Sequence, residues 1–276
     1  MMKQLEKLKI TCQAKNFSDR TTGNYLRPCR LFFEWLNKEK KEINRDAIYE
    51  YHAKLKTYGY DTSTIKLHAC AIRFYLRTVL NREDLVSSMP TIKQISKIPI
   101  VLAKEEVKLL INMAGNPIHE TILLVLYTCG LRLSELLNIR MSDIDYYRKN
   151  ILIHGKGRKE RFVPILDDVI SKIKTHFSKL KPFDFLCTTI NGERKMSSRT
   201  IGMIVEKCAK KAGINKRVYP HLLRHSFATH CIESGIDIRY VQLVLGHTSI
   251  LATAQYSHVA SIPELKNIDN LSYLFK

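Results

Sequence analysis

Residues 150–165 read NILIHGKGRKERFVPI, and here the chain stops looking helical. Ile151 to Ile153 on one side and Phe162 to Ile165 on the other are short β-rich runs. Gly155 and Gly157 punctuate the basic turn between them, the signature of a β-hairpin. Phe185 to Ile190 is expected to add a third strand. The rest of the chain carries helical periodicity, so the fold class expected is mainly α with one small antiparallel sheet.

Towards the N-terminus, residues 1–88 read as helices only. Ser18-Asp19-Arg20-Thr21 is a capping cluster, after which Tyr25, Cys29, Phe32, Phe33 and Leu36 recur at helical spacing. A second helix fits Arg45 to Thr57, and a third starts at Asp61-Thr62-Ser63-Thr64. That third helix gathers Ile65, Ala69, Ile72 and Leu76 on one face, with the basic Lys66 and Arg73 beside them. Such a helix packs on one side and faces a partner on the other. The stretch VSSMPTIKQISKIPI, residues 86–100, has two prolines, three serines and no helical period. It places a linker at 89–100. Residues 101–276 form a second domain, mixed α/β and mostly helical. Helices are expected from Lys104, at about 117–129 and 132–139, and after the hairpin at about 197–211, 221–234, 237–245 and 249–256.

The chain has 276 residues and a formal charge of +19. Residues 1–92 hold 17 Lys+Arg against 10 Asp+Glu, so +7; residues 93–276 hold 28 against 16, so +12. A chain that is positive throughout suits a long polyanion, most simply nucleic acid. The start, MMKQLEKLKI, lacks the apolar core of a secretory signal. The most apolar run, TILLVLYTCGLRLSELL, meets Arg132 after about ten residues, short of the ~20 that a membrane span needs. The seven cysteines are scattered without a CxxC pair, which argues against a disulfide framework or a zinc ribbon and for a reducing interior.

Several residues could carry chemistry. Arg132 interrupts that apolar run, and a guanidinium there needs an anionic partner; Glu135, three residues on, shares its helical face. Lys156 sits between two glycines, which let the backbone approach a ligand. In HLLRHSFATH, residues 221–230, His221 and His225 are spaced to bind one metal from a helix face. Leu222 stands where an HExxH glutamate would be, and Arg224 would put a cation beside the metal. Core histidines, a zinc-dependent hydrolase and an anion-binding face all remain open for this segment, with a structural place the default for His230. Gly246-His247 and Tyr256 follow. Together these residues offer two guanidinium forks for phosphate, proton donors and acceptors, and a nucleophile, a set suited to phosphoryl transfer in which arginine neutralises the charge.

The stretches GLRLSELLNIRMSDID, GKGRKERFVPI, HLLRHSFATH and VQLVLGHTSILATAQYSHV occur in the order seen in tyrosine recombinases. The chain resembles that family of phage integrases and Xer-type recombinases over most of residues 100–260, and more weakly in its N-terminal half. The resemblance implies a helical core-binding domain followed by a tyrosine-recombinase catalytic domain. It implies that Arg132 and Arg224 clamp the scissile phosphate, with Glu135 supporting Arg132 and His225 in a further supporting place. Lys156 would protonate the departing 5′ oxygen, His221 and His247 would assist, and Tyr256 would form a 3′-phosphotyrosyl bond, with His221 the expected base for its proton. Lys66, Arg73, Arg158 and Lys159 are the expected DNA contacts. The implied enzyme uses no cofactor, metal or ATP. It acts on double-stranded DNA with short inverted-repeat core sites, as a homotetramer passing through a Holliday junction, with a monomer allowed in free solution. Its place would be the prokaryotic cytoplasm, at the nucleoid, with no membrane contact. The tail from Ser257, with its stripe Leu265, Ile268, Leu271, Leu274 and Phe275, would dock on a neighbouring protomer or fold back on its own. A non-catalytic DNA-binding protein on the same fold is the alternative.

Overall fold

Three side chains close the starts of three helices near the N-terminus. Ser18 Oγ accepts from the Thr21 N–H at 3.2 Å, Asn44 Oδ1 from Ala47 at 2.9 Å, and Asp61 Oδ1 from Thr64 at 2.7 Å. They open α2 (Asp19–Lys38), α3 (Arg45–Thr57) and α4 (Thr62–Thr78), which α1 (Met2–Ala14) precedes and α5 (Glu83–Ser87) follows. The computed structural model describes residues 2–92, 100–155, 159–188, 194–246, 251–254 and 256. It divides into two units, Met1–Ser96 and Lys97–Lys276, each with its own core. Of the stretch read as a linker, residues 93–99 lie outside the described residues.

In the first unit the apolar faces read from the sequence are buried. Cys29, Phe32, Phe33 and Leu36 of α2 join Ile65, Ala69, Ile72 and Leu76 of α4 in one core. Phe32, Trp35 and Tyr51 pack with centroids 4.9 to 6.3 Å apart, and the Tyr51 hydroxyl is 3.0 Å from His68 Nδ1. On the outer side of α4, Lys66 is exposed and Arg73 half-buried.

The second unit contains α6 (Lys104–Asn112), α7 (Pro117–Thr128), α8 (Leu133–Leu136), a 3-10 turn at Met141–Asp143, and strands β1 (Ile144–Asp145), β2 (Asn150–His154) and β3 (Glu160–Pro164). Helices α9 (Asp167–His176), α10 (Ser198–Lys211), α11 (Pro220–Glu233), α12 (Ile238–Leu245) and α13 (Leu251–Ala254) complete it. The three strands form one antiparallel sheet in the order β1-β2-β3, with Ile151 opposite Val163 and Ile153 opposite Arg161.

The hairpin is where the sequence put it, but its third strand is not. Ile144–Asp145 pairs with β2, whereas Phe185 and Thr188 make only isolated bridges, to Arg140 and Lys195. The reason is local: the Leu186 N–H donates to the Ile139 carbonyl at 2.9 Å, tying this segment to the loop after α8 instead of to the sheet. Residues 189 and 190 lie outside the described residues. Helix α9 had no counterpart in the sequence reading, although Asp167 and Asp168 mark its first turn and Val169, Ile170 and Ile173 are buried. The helix expected at 132–139 is only α8, four residues long.

Helix α11 occupies the middle of this unit, packed against α6, α7, α10 and α12, so it is buried nearly all round. His230 Nε2 donates to the Leu102 carbonyl at 2.9 Å, which leaves Nδ1 to accept from the Tyr127 hydroxyl at 2.7 Å. Gly130, just after α7, has φ of +56°, and a Cβ there would fall 2.4 Å from the Phe227 ring of α11. Only glycine allows that approach.

Candidate active site

The short helix α8 begins at a side chain that does two jobs. Glu135 Oε2 accepts from the backbone N–H of Arg132 at 2.9 Å, closing the helix start, while Oε1 accepts from Arg132 Nη1 at 2.7 Å. From β3, Arg161 adds a two-pronged contact, Nη1 to Oε1 at 3.0 Å and Nη2 to Oε2 at 2.9 Å. Arg224 of α11 brings Nη1 to 3.6 Å from Oε2. One buried carboxylate thus faces three guanidinium groups. Burial pushes the Glu135 carboxyl up, but the hydrogen bonds from Arg161 and Arg132 outweigh it and hold the pKa at about 2.

The same three arginines meet the C-terminal end of α12. Arg161 Nε donates to the Val244 carbonyl at 2.7 Å, Arg224 Nη2 to Leu245 at 2.7 Å, and Arg132 Nη2 to Gly246 at 3.4 Å. Carbonyls in the last turn of a helix lack internal partners and sit at its negative end, so cations are favoured there. Arg224 is the most enclosed, 1% exposed, and its Nη1 also donates to the Gly130 carbonyl at 2.7 Å. Burial, then the Arg132 charge, lower its pKa to about 10, so at neutral pH it remains a cation.

One turn apart on α11, His221 and His225 place their ring centroids 5.3 Å apart. His221 is open to solvent on one side, yet desolvation and then the charges of Arg224 and Arg132 lower its pKa. His225 is half-buried, and burial followed by His221 and Arg224 brings its pKa to about 4, leaving it neutral. Its Nδ1 is 2.7 Å from the hydroxyl of Tyr256, which is itself buried.

At the hairpin, His154 Nδ1 is 2.9 Å from Glu160 and Nε2 is 3.3 Å from Asp143. The Gly155 N–H donates to the Lys159 carbonyl at 2.7 Å, and a Cβ at 155 would come within 2.9 Å of that oxygen. Lys159 is exposed. Lys156 and Arg158, like His247, lie outside the described residues.

Of the residues singled out in the sequence, Arg132, Glu135, His221, Arg224, His225 and Tyr256 come together here, while Lys66 and Arg73 belong to the first unit. Arg161 was overlooked. A signal for it exists: alternation along β3 puts Arg161 on the same face as buried Val163, while Phe162 faces outward and is 64% exposed. An arginine at an inward position beside an outward phenylalanine reverses the usual strand pattern. Among the described residues there is no group of three or more His, Cys, Asp or Glu that could hold a metal ion.

The profile of the phage integrase family matches residues 101–261, and that of a phage integrase N-terminal SAM-like domain matches residues 5–84. The chain is 37% identical over 243 residues to the tyrosine recombinase XerA of Pyrococcus horikoshii, covering 84% of this chain and 83% of the relative. Against XerD of Oceanobacillus iheyensis it is 32% identical over 268 residues, 89% of each. The crystal structure of the XerH site-specific recombinase on a palindromic difH substrate, a post-cleavage complex, superposes with a TM-score of 0.75 at 23% identity. That match spans 93% of this chain and 82% of the other, and at this identity it establishes the fold alone.

Proposed function

The chain belongs to the phage integrase family, as a site-specific tyrosine recombinase of Xer type, and we propose that it cuts and rejoins duplex DNA through a 3′-phosphotyrosyl bond on Tyr256. The observation that carries this reading is the 2.7 Å approach of Tyr256 to His225, on the helix that also supplies Arg224. On this reading a nucleophile meets its proton acceptor on the helix that also carries a phosphate-binding cation.

In the reaction, Arg132 and Arg224 bind the non-bridging oxygens of the scissile phosphate and offset the charge that builds up on them. Tyr256 Oη attacks phosphorus, the P–O5′ bond breaks, and the phenol proton passes to a histidine. A free tyrosine has a pKa of about 10, so this proton needs an acceptor at neutral pH. His225 is neutral and in contact with the hydroxyl, and His221 lies beside it as the second candidate. Lys156 protonates the 5′ oxygen, and His247 hydrogen-bonds the phosphate. The phosphotyrosyl bond conserves the energy of the phosphodiester, so religation requires neither ATP nor a metal.

At a larger scale, residues 1–88 act as the core-binding domain, 89–100 as a linker and 101–276 as the catalytic domain. Lys66, Arg73, Arg158 and Lys159 meet the DNA backbone. Four protomers on paired inverted-repeat sites exchange strands through a Holliday junction, on nucleoid DNA in a prokaryotic cytoplasm. Among the described residues, no helix is long and apolar enough to cross a membrane.

A nicked suicide substrate tests the chemistry. Wild type is expected to trap a covalent protein–DNA adduct, resistant to EDTA, and Tyr256→Phe to trap none while still binding. Equal trapping by both proteins would remove Tyr256 as nucleophile; binding without any adduct would favour the non-catalytic alternative.

A further inference from the structure

Arg161 stands outside the set of residues that the family resemblance assigns. We propose that it is a positioning residue for strand cleavage: its guanidinium orients Glu135, and through it Arg132, and ties strand β3 to the end of α12.

Three features support this role. First, placing a guanidinium inside a unit is costly unless its donors are satisfied. The Arg161 side chain is only 15% exposed, and it donates through Nε, Nη1 and Nη2. Second, its fork spans both oxygens of Glu135, the carboxylate that also holds Arg132 Nη1. The position of Arg132 therefore depends on Glu135, and that of Glu135 on Arg161. Third, its Nε bond to Val244 fixes the end of α12, where Gly246 adopts φ of +64° and a Cβ would lie 2.9 Å from Arg161 Nη1. In sequence His247 follows Gly246 directly, and Lys156 lies between β2 and β3. Arg161 is thus the one described side chain that joins the Arg132–Glu135 turn, the hairpin and the last turn of α12.

The charged groups facing Glu135 are Arg132 from its own turn, Arg161 from β3, and Arg224 and His221 from α11. Removing Arg161 takes away the fork and leaves burial, which raises the carboxyl pKa, less opposed. Once Glu135 is protonated it no longer anchors Arg132 as an anion. A variant lacking Arg161 should therefore lose cleavage as pH falls, over a range in which wild type, with Glu135 held at about 2, does not.

The test reads the rate of strand cleavage on half-site DNA, whichever residue is the nucleophile, so it can fail independently of the Tyr256 chemistry. Arg161→Gln is expected to cleave about 10²-fold more slowly, the scale of a misplacement of roughly 1 Å. DNA affinity should stay within roughly twofold, as for a group that acts through others and not on the duplex itself. Its pH profile should gain an acid limb that disappears in the double variant Glu135→Gln/Arg161→Gln. Arg161→Lys, which keeps the charge but loses the fork, should restore the wild-type profile with part of the rate. A wild-type rate in Arg161→Gln would overturn the proposal. So would a slower rate in Arg161→Gln with an unchanged pH profile, or a parallel loss of DNA binding in either the Gln or the Lys variant.

Discussion

At the residue scale the site depends on one carboxylate and one imidazole with opposite electrostatic settings. Glu135 accepts four hydrogen bonds, which account for its lone pairs and keep it ionised although it is buried. Its folded pKa lies below its unfolded value near 4.3, so its stabilisation is present above that value and is lost as pH falls towards about 2. His225 is shifted the other way in charge: burial favours its neutral form, and it can take a proton from Tyr256 at any pH well above about 4. Replacing it by Phe keeps a ring but removes the acceptor, and adduct formation should fall by about 10² to 10⁴. The loss should shrink as pH rises towards the phenol's own pKa. Single-turnover trapping across pH 6 to 9 would measure this, and an unchanged rate and profile would pass the role to His221. Arg132 and Glu135 were legible in the sequence because charge broke an apolar run, and Arg224 through its place in the ordered motifs. The His225 contact was not, since it joins residues 31 positions apart.

At the element scale, the last turn of α12 is the shared anchor. The carbonyls of Val244, Leu245 and the capping Gly246 each accept from a different arginine, so a shift of this helix end would move all three guanidinium groups. Gly246 allows this in two ways, through its left-handed φ and through the space that Arg161 occupies. Gly246→Ala should cost about 1–2 kcal/mol from the backbone conformation alone, with the Arg161 contact adding to it. It should also slow cleavage. Urea denaturation and the cleavage assay would measure these effects, and a stability loss no larger than the backbone cost with a wild-type cleavage rate would show that Arg161 yields freely. Most helices and the hairpin could be read from caps and periodicity, within a few residues at their ends. The third strand could not, because two residues carry no alternation and Phe185 looks β-like while bonding elsewhere.

At the scale of the whole molecule, charge is the broadest signal. With +7 on residues 1–92 and +12 on the remainder, both units should draw on phosphate contacts when the protein binds DNA. A footprint of six to ten phosphates would lower affinity by about 10³- to 10⁵-fold between 50 and 200 mM salt. Titrations over that range would test it, and a flat dependence would argue against backbone contacts as the main source of affinity. Six of the seven cysteines are buried and all seven are unpaired, so the cores of both units rest on packing without a covalent tie.

The sequence by itself determined the mainly helical class, the hairpin, the basic character and the family, because each is written in local patterns or in ordered motifs. Only the tertiary structure decided that Arg161 joins Glu135, that three arginines share the end of α12, and that His225 meets Tyr256. These are contacts between segments far apart in the chain, which hydrophobic periodicity places on a buried face without saying which neighbour they will meet there.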